Sequence, residues 1–290
     1  MPDWATFAVA AVALTLLLLF FTRRSRRLLE SARFVDSRSE IADENDDADR
    51  NITSSDVDRD RDDDDADLSP NPDRRKQPVL TTRLLLANAT VSQAIALIVL
   101  VAIAWWTAVP ASAFGIGGTH PTLGAPAVGS LGTAGLVALG AGAGLALAAG
   151  NEAVARLGAR AGVAPSTRLR EAMAPTDASE WALLLGVALP VVAIFEETLF
   201  RGALIGALSV GFGVDPRLLV VASSVAFGLG HGAQGRLGIA VAGGLGIALA
   251  GLFVATGSLL AVVVAHYVVN AVEFVAHERS GASRTGPEDG

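Results

Sequence analysis

The 290-residue sequence contains no cysteine, one tyrosine and one lysine, Lys76. The absence of cysteine excludes disulfide frameworks, thiolate metal sites and cysteine nucleophiles. Charged residues are also scarce, because they make up 18% of the chain where soluble domains contain about 25%. Hydrophobic residues account for 51%, and the mean hydropathy is +0.48. This composition excludes an ordinary soluble globular protein and predicts a polytopic membrane protein.

The net charge of -7 comes from one segment of the chain. Between Asp36 and Asp73 there are 16 acidic residues and 4 arginines, a local charge of -12, so the remaining 18 basic and 13 acidic residues carry +5. Residues 36–78 contain few apolar side chains, so little apolar surface is available to offset the entropy of ordering. The sequence therefore predicts a disordered acidic linker over this segment.

Seven apolar segments have the length and composition of membrane-spanning helices. We place them at residues 4–21, 91–112, 129–150, 181–209, 216–232, 237–255 and 258–276. The fold class predicted from them is all-α, an integral membrane helix bundle in the cell membrane. An odd number of spans, together with arginines in alternate connections, predicts an outside N-terminus and a cytoplasmic linker and C-terminus.

The first apolar segment resembles both a secretory signal and a signal anchor. No basic residue precedes it and no small-residue cleavage site follows it; Arg23, Arg24, Arg26 and Arg27 come next instead. These features favour a retained signal-anchor helix.

Five regions follow from these patterns. They are a signal-anchor helix with its basic flank (1–35), the acidic linker (36–78), transmembrane helices without a recognised motif (79–177), a core segment that contains the polar motifs (178–276) and a polar tail (277–290).

Pairs of small residues recur at four-residue spacing inside the predicted spans. Gly140 and Gly144 form one pair, and Ala242 and Gly246 form another. This spacing allows membrane helices to approach each other closely. The pattern predicts a compact bundle and carries no functional information.

Three charges interrupt the apolar segment 181–209, namely Glu196, Glu197 and Arg201. A charged side chain at mid-membrane costs about 2.5–3.5 kcal/mol on insertion scales, so each one requires a physical reason. Glu197 and Arg201 are four residues apart and can pair on one helix face. Glu196 points about 100° away, which leaves its carboxylate free for chemistry.

Two further spans carry polar side chains at the same four-residue spacing. Phe227 and His231 share a helix face at the end of one span, and His266 and Asn270 share a face within the last span. Imidazoles transfer protons near neutral pH, and an amide can donate a hydrogen bond to a developing oxyanion. Together with Glu196, these groups suffice to activate water and hydrolyse an amide.

The same residue types permit other interpretations. A Glu–Arg pair can be purely structural, a membrane histidine or asparagine can join helices, and buried Glu, His and Arg also build proton relays. A proton-coupled transporter is therefore an alternative function. We find no internal repeat of the kind that many transporters contain.

Taken together, the motifs resemble those of the CPBP family of intramembrane proteases, which includes CAAX endopeptidases and bacteriocin-immunity (Abi) proteins. The resemblance covers Ala178 to Ala276, about a third of the chain. The matching motifs, in order, are Glu196-Glu197-x-x-x-Arg201, Phe227-x-x-x-His231 and His266-x-x-x-Asn270.

The resemblance implies a glutamic endopeptidase with a catalytic set of Glu196, His231, His266 and Asn270. By resemblance, Glu196 and His231 activate the attacking water, while His266 and Asn270 form the oxyanion hole. Glu197, Arg201 and Phe227 have supporting roles.

The implied reaction needs no cofactor, and the implied substrate is a membrane-embedded or lipid-modified peptide or protein, with a CAAX-like C-terminus as one candidate cleavage site. A zinc-dependent version would use Glu196, His231 and His266 as ligands, although the His-Glu-x-x-His spacing is absent. A non-catalytic immunity-type protein is a further alternative. We expect the lipid bilayer as a partner and no nucleic acid, and the sequence carries no signal for an oligomeric state.

Overall fold

The computed structural model describes residues 1–31, 33–34, 79–117, 131–160, 162 and 173–282. The predicted disordered linker lies outside the described residues, as do residues 283–290 of the predicted polar tail; residues 277–282 of that tail continue the last helix. Over the described part of the chain the fold is a helix bundle, as expected. The described residues also contain two short strands, β1 (Arg33–Phe34) and β2 (Val79–Leu80), which pair in parallel.

Seven long helices build the described bundle. They are α1 (Trp4–Ser31), α2 (Thr82–Trp106), α3 (Thr133–Arg160), α4 (Ala178–Phe212), α5 (Pro216–Gly230), α6 (Gly235–Thr256) and α7 (Leu259–Ala282). Short 3-10 turns follow α2 and α5, at Ala111–Phe114 and Gly232–Gln234.

Six of these helices are long and apolar enough to cross a membrane, and α5 is the exception. The sequence predicts a span at 216–232, but α5 has 15 residues, which corresponds to about 22 Å against a hydrocarbon core of about 30 Å. Asp215 begins the helix, since its side chain accepts a hydrogen bond from the backbone N–H of Arg217. The helix ends at His231, where the backbone leaves the helical conformation.

α4 is one continuous helix of 35 residues that contains two π-helical segments, Leu184–Ala188 and Thr198–Ala207. Side chains from neighbouring helices bind carbonyl oxygens in both segments. The Tyr267 hydroxyl donates to the Leu185 carbonyl at 3.2 Å, and the Ser223 hydroxyl donates to the Phe200 carbonyl at 2.7 Å. Short π segments occur frequently at functional sites, and the second one begins directly after Glu197.

Glycines set the close contact between α3 and α7. A Cβ atom added at Gly140 would clash with the Ala261 carbonyl oxygen, and one at Gly144 would lie 2.6 Å from that of Ala265. The backbones therefore approach to a distance that only glycine allows, as the four-residue spacing predicts. The contact fixes the position of α7, which carries His266.

The second small-residue pair, Ala242 and Gly246, lies at the contact between α5 and α6. A Cβ atom at Gly246 would lie 3.3 Å from both the Phe227 ring and the Ser224 Cα, and Ala242 is buried. The absence of a side chain at Gly246 thus makes room for Phe227, a residue of the polar motifs.

α1 packs into the bundle, so it is more than a membrane anchor. Phe7 and Ala11 are fully buried, and the Phe7 ring contacts Phe114 edge-to-face with centroids 5.6 Å apart. Trp4 lies against Gly211 at the end of α4. Phe7 and Ala11 belong to the same hydrophobic cluster as residues of α4 and α5, a contact that the sequence did not indicate.

Candidate active site

Two adjacent glutamates and an arginine occupy the middle of α4, where all three project into the bundle. Glu197 and Arg201 are fully buried. The Arg201 Nη1 atom lies 2.8 Å from Glu197 Oε1, which is the pair that their spacing predicts. Arg201 Nη2 also donates to the Gly246 carbonyl at 3.1 Å. Because both charges are paired, the cost of burying them in the bundle is reduced.

His266, on α7, lies beside both glutamates. Its Nδ1 atom lies 2.6 Å from Glu197 Oε1, and its Nε2 atom lies 3.8 Å from Glu196 Oε2. Because a carboxylate oxygen accepts, Nδ1 carries the hydrogen. Glu197 therefore binds Arg201 and His266 at once and orients the imidazole so that Nε2 faces Glu196. The sequence assigned Glu197 to Arg201 alone, and the contact with His266 is new.

Glu196 retains the freedom that the sequence analysis predicts. Its side chain is 15% exposed, and its Oε2 atom has no hydrogen bond among the described residues. Its Oε1 atom accepts a long hydrogen bond of 3.5 Å from Gln93 Nε2 on α2. Sequence reasoning missed Gln93, whose only signal was a neutral amide within an apolar span.

His231 caps the C-terminal end of α5. Its Nδ1 atom lies 2.9 Å from the Phe227 carbonyl oxygen. Since a carbonyl can only accept, Nδ1 carries the hydrogen and the neutral ring presents Nε2 as an acceptor. No hydrogen bond or ion pair joins His231 to Glu196 in the described part of the chain.

The Phe227 ring lies at the centre of the polar residues. Ring centroids are 4.7 Å apart for Phe227 and His231, and 5.9 Å apart for Phe227 and His266. The Arg201 guanidinium carbon lies 4.5 Å from the centroid of the same ring, within the range of a cation–π contact. Phe227 thus connects the two histidines by packing.

Asn270 lies one helical turn after His266 and is half-buried. Its side chain makes no hydrogen bond to any of the described residues. Asn270 therefore shares a helix face with His266 by its four-residue spacing, and its role in the site stays a prediction.

The described residues contain no group of three or more His, Cys, Asp or Glu side chains arranged to hold a metal ion. Glu196, His231 and His266, the ligands of the zinc version, are therefore not arranged as a ligand set. Both imidazoles do present Nε2, the orientation that a ligand would need.

Buried polar atoms without a hydrogen bond concentrate at this site. Such atoms are rare in folded proteins, and each one requires an explanation. Within the described residues they are Gln93 Oε1, Glu196 Oε2, Glu197 Oε2, Arg201 Nε and Ser224 Oγ. Four of these five atoms belong to residues in direct contact with Glu196 or Glu197, or to those glutamates themselves. The arrangement is typical of a site that binds water or substrate.

Comparison with known proteins gave one family. Residues 178–272 match the family model described as type II CAAX prenyl endopeptidase Rce1-like. No curated protein and no solved structure matches the chain. The matched segment contains every motif residue described above, and Gln93 lies outside it. The resemblance to the CPBP/CAAX protease family is thereby confirmed over residues 178–272, and it supports a protease role for this membrane protein.

Proposed function

We propose that this protein is an intramembrane endopeptidase that hydrolyses a peptide bond in a membrane-associated substrate with water activated by Glu196. One observation carries the proposal: Glu196 lies 3.8 Å from the Nε2 atom of a histidine whose other nitrogen is held by Glu197 at 2.6 Å. A free carboxylate beside an oriented imidazole is the arrangement that general acid–base catalysis needs.

His266 has a carboxylate near each ring nitrogen. Its Nδ1 atom lies 2.6 Å from Glu197 Oε1, and its Nε2 atom lies 3.8 Å from Glu196 Oε2. An imidazole that carries a hydrogen on both nitrogens is a donor at both, and the proposed reaction uses the Nε2 hydrogen to bind the developing oxyanion.

The proposed reaction assigns one role to each polar group. Glu196 takes a proton from water while the water oxygen attacks the carbonyl carbon, and His231 Nε2 accepts a hydrogen bond from the hydrogen that remains on that oxygen. His266 and Asn270 donate hydrogen bonds to the tetrahedral oxyanion. The carbon–nitrogen bond then breaks, and the proton on Glu196 moves to the leaving amine, which gives a carboxylic acid and a free amine.

The supporting residues hold this arrangement in place. Glu197 fixes the tautomer and orientation of His266, and Arg201 compensates the charge of Glu197. Phe227 packs against both histidines. We propose that the reaction proceeds without zinc, so removal of divalent cations by a chelator should leave the rate unchanged. A chelator-sensitive rate restored by zinc would instead favour the metal-dependent version.

The substrate proposed is a membrane-embedded or lipid-modified peptide or protein, with cleavage near a CAAX-like C-terminus. This choice rests on the family description of residues 178–272. The test is a comparison of membrane peptides from cells with the wild-type protein and with Glu196→Gln, which keeps the side-chain shape but removes the base. Glu152→Gln is the matched control, because Glu152 is exposed and pairs with Arg156.

A C-terminal or membrane-proximal cut is expected in the wild type and in Glu152→Gln, and it should disappear in Glu196→Gln. Cleavage of a purified substrate by Glu196→Gln at the wild-type rate would falsify the mechanism. Proton flux into liposomes without any proteolysis would favour the transporter alternative.

The proposal includes an orientation, with the N-terminus outside. Trp105 and Trp106 at the end of α2 are strongly exposed, and Trp4 is at the same end because the Asp3 N–H donates to the Thr107 carbonyl. Tryptophans concentrate at membrane interfaces. Since the chain lacks cysteine, single cysteines at Leu131 and at Leu157 can be labelled without background; the first should react from outside and the second only after permeabilisation.

A further inference from the structure

Gln93 is the polar residue that reaches Glu196 from outside the family-matched segment. It lies on α2, and its Nε2 atom is 3.5 Å from Glu196 Oε1. Leu86 and Leu100, seven residues before and after it, are both fully buried. Gln93 therefore interrupts the buried stripe of α2 at its midpoint, where an apolar residue would be expected.

The orientation of the Gln93 amide follows from its neighbour. An ionised carboxylate only accepts hydrogen bonds, so the amide must present its NH2 group to Glu196. The carbonyl oxygen is then left buried, and it has no hydrogen bond among the described residues. A buried acceptor without a donor is costly, so this oxygen is suited to accept a hydrogen from bound water or substrate.

A second contact joins α2 and α4 near their first turns. Arg83, near the start of α2, lies 2.8 Å from Asp177 and 3.2 Å from Glu180, at the start of α4. Gln93 and Glu196 therefore meet on two helices that also contact each other ten residues before Gln93 and 16 residues before Glu196.

We propose that Gln93 is a positioning residue for Glu196. Its amide holds Glu196 Oε1, so that Oε2 faces the His266 Nε2 atom and the attacking water. This inference rests on the proposed function for its kinetic consequence, while the hydrogen bond itself exists whatever the reaction is.

The kinetic test replaces Gln93 with Met, which has a similar length but no donor. Loss of a hydrogen bond to a charged group should lower kcat about tenfold or more and leave KM within about twofold, because the amide acts on the base. Gln93→Glu has the same shape but places a second acceptor against the carboxylate, so its kcat should fall further. Ser92→Ala is the matched control, since Ser92 is exposed and bonds only to the Ala89 carbonyl.

A space-filling role for Gln93 makes the opposite prediction, because Gln93→Glu would then retain kcat and Gln93→Met would change only the thermal stability. Either result, with both variants folded, overturns the proposal.

A second measurement does not depend on proteolysis. Dicyclohexylcarbodiimide modifies protonated carboxyl groups within membranes, and mass spectrometry locates the modified residue. The Gln93 amide covers Glu196 Oε1, so its removal should open the carboxyl group to the reagent, and Glu196 should be modified several-fold faster in Gln93→Met than in the wild type and in Ser92→Ala. Equal rates in all three proteins overturn the inference. Failure of wild-type cleavage with faster labelling in Gln93→Met would reject the proposed function and leave the positioning contact supported.

Discussion

Two arginine–carboxylate clusters contact α4, one at its first turn and one at its middle. At the first turn, Arg83 binds Asp177 and Glu180; 63% of the Arg83 side chain and 47% of the Asp177 side chain are exposed, and 9% of the Glu180 side chain. At the middle, Arg201 binds Glu197 with 1% and 0% of the side chains exposed. The closest distance is 2.8 Å in both clusters, so geometry alone does not distinguish them.

The two clusters differ in how far their side chains are exposed to solvent. Water and ions screen the exposed cluster, so its net contribution is small. In the buried cluster each charge depends on its partner, and removal of one partner leaves the other uncompensated. The same residue types therefore tie two helices together at the end of the bundle and form a buried, mutually dependent cluster inside it.

The largest effect is expected for His266→Gln, which removes a group able to carry the imidazolium charge. Loss of proton transfer or of oxyanion stabilisation should lower kcat by about 10²–10⁴ fold. Tyr267→Phe is the control from the adjacent position, because it loses only the hydrogen bond to the Leu185 carbonyl. Peptide cleavage at saturating substrate measures both. A His266→Gln enzyme with wild-type kcat would separate the histidine from the reaction.

The next largest effect is on stability. Arg201→Ala should lower the free energy of unfolding by about 3–5 kcal/mol, because the buried Glu197 loses its arginine partner. Arg83→Ala removes the exposed arginine and should change the thermal midpoint only slightly. Thermal unfolding in one detergent compares the two variants. Equal losses would show that burial does not separate the clusters.

A smaller effect is expected at the glycine contact that positions His266. Gly144→Ala should lower the free energy of unfolding by about 1–3 kcal/mol, since the added Cβ would lie 2.6 Å from the Ala265 carbonyl oxygen. Gly142→Ala is the matched control, because its Cβ would meet no atom within 4 Å and alanine is the better helix former. If both variants melt together, the close approach of α3 and α7 is not limiting.

The smallest effect is the pH dependence of the exposed cluster. The Ser179 hydroxyl and the Glu180 backbone N–H donate to Asp177 and, with Arg83, lower its pKa from 3.8 to about 2. A depressed pKa in the folded state gives a stabilisation that is present above pH 4 and lost as the pH falls toward 2. Asp177→Asn should therefore lose less stability between pH 5 and pH 2 than the wild type, as measured by thermal midpoints across that range.

Several parts of the site could be predicted from local spacing. The Glu197–Arg201 pair follows from a separation of four residues on one helix, and the contact at Gly140 and Gly144 follows from small residues at the same separation. Both patterns are properties of a single helix, so no knowledge of the fold is needed. The chain composition likewise predicted a membrane helix bundle, although α5 is shorter than the expected span.

Contacts between helices that are far apart in the sequence could not be predicted from local spacing. His266 is 69 residues from Glu197, and Gln93 is 103 residues from Glu196. Their meeting depends on how each helix is rotated about its axis and how far it is shifted along its neighbour. The docking of Phe7 of α1 into the core and the π segments of α4 also depend on packing partners from other helices.

The sequence by itself determined the membrane class, the intramembrane charges and the motifs of the protease family, because hydropathy and residue spacing act within short segments. Only the tertiary structure decided which atoms of those residues meet. Glu197 contacts both Arg201 and His266. Glu196 lies beside the His266 imidazole, with Oε1 near Gln93 Nε2 and with no hydrogen bond to Oε2 among the described residues. The physical reason is that a buried hydrogen bond is selected by the relative placement of whole helices, which side-chain packing fixes and a linear pattern does not contain.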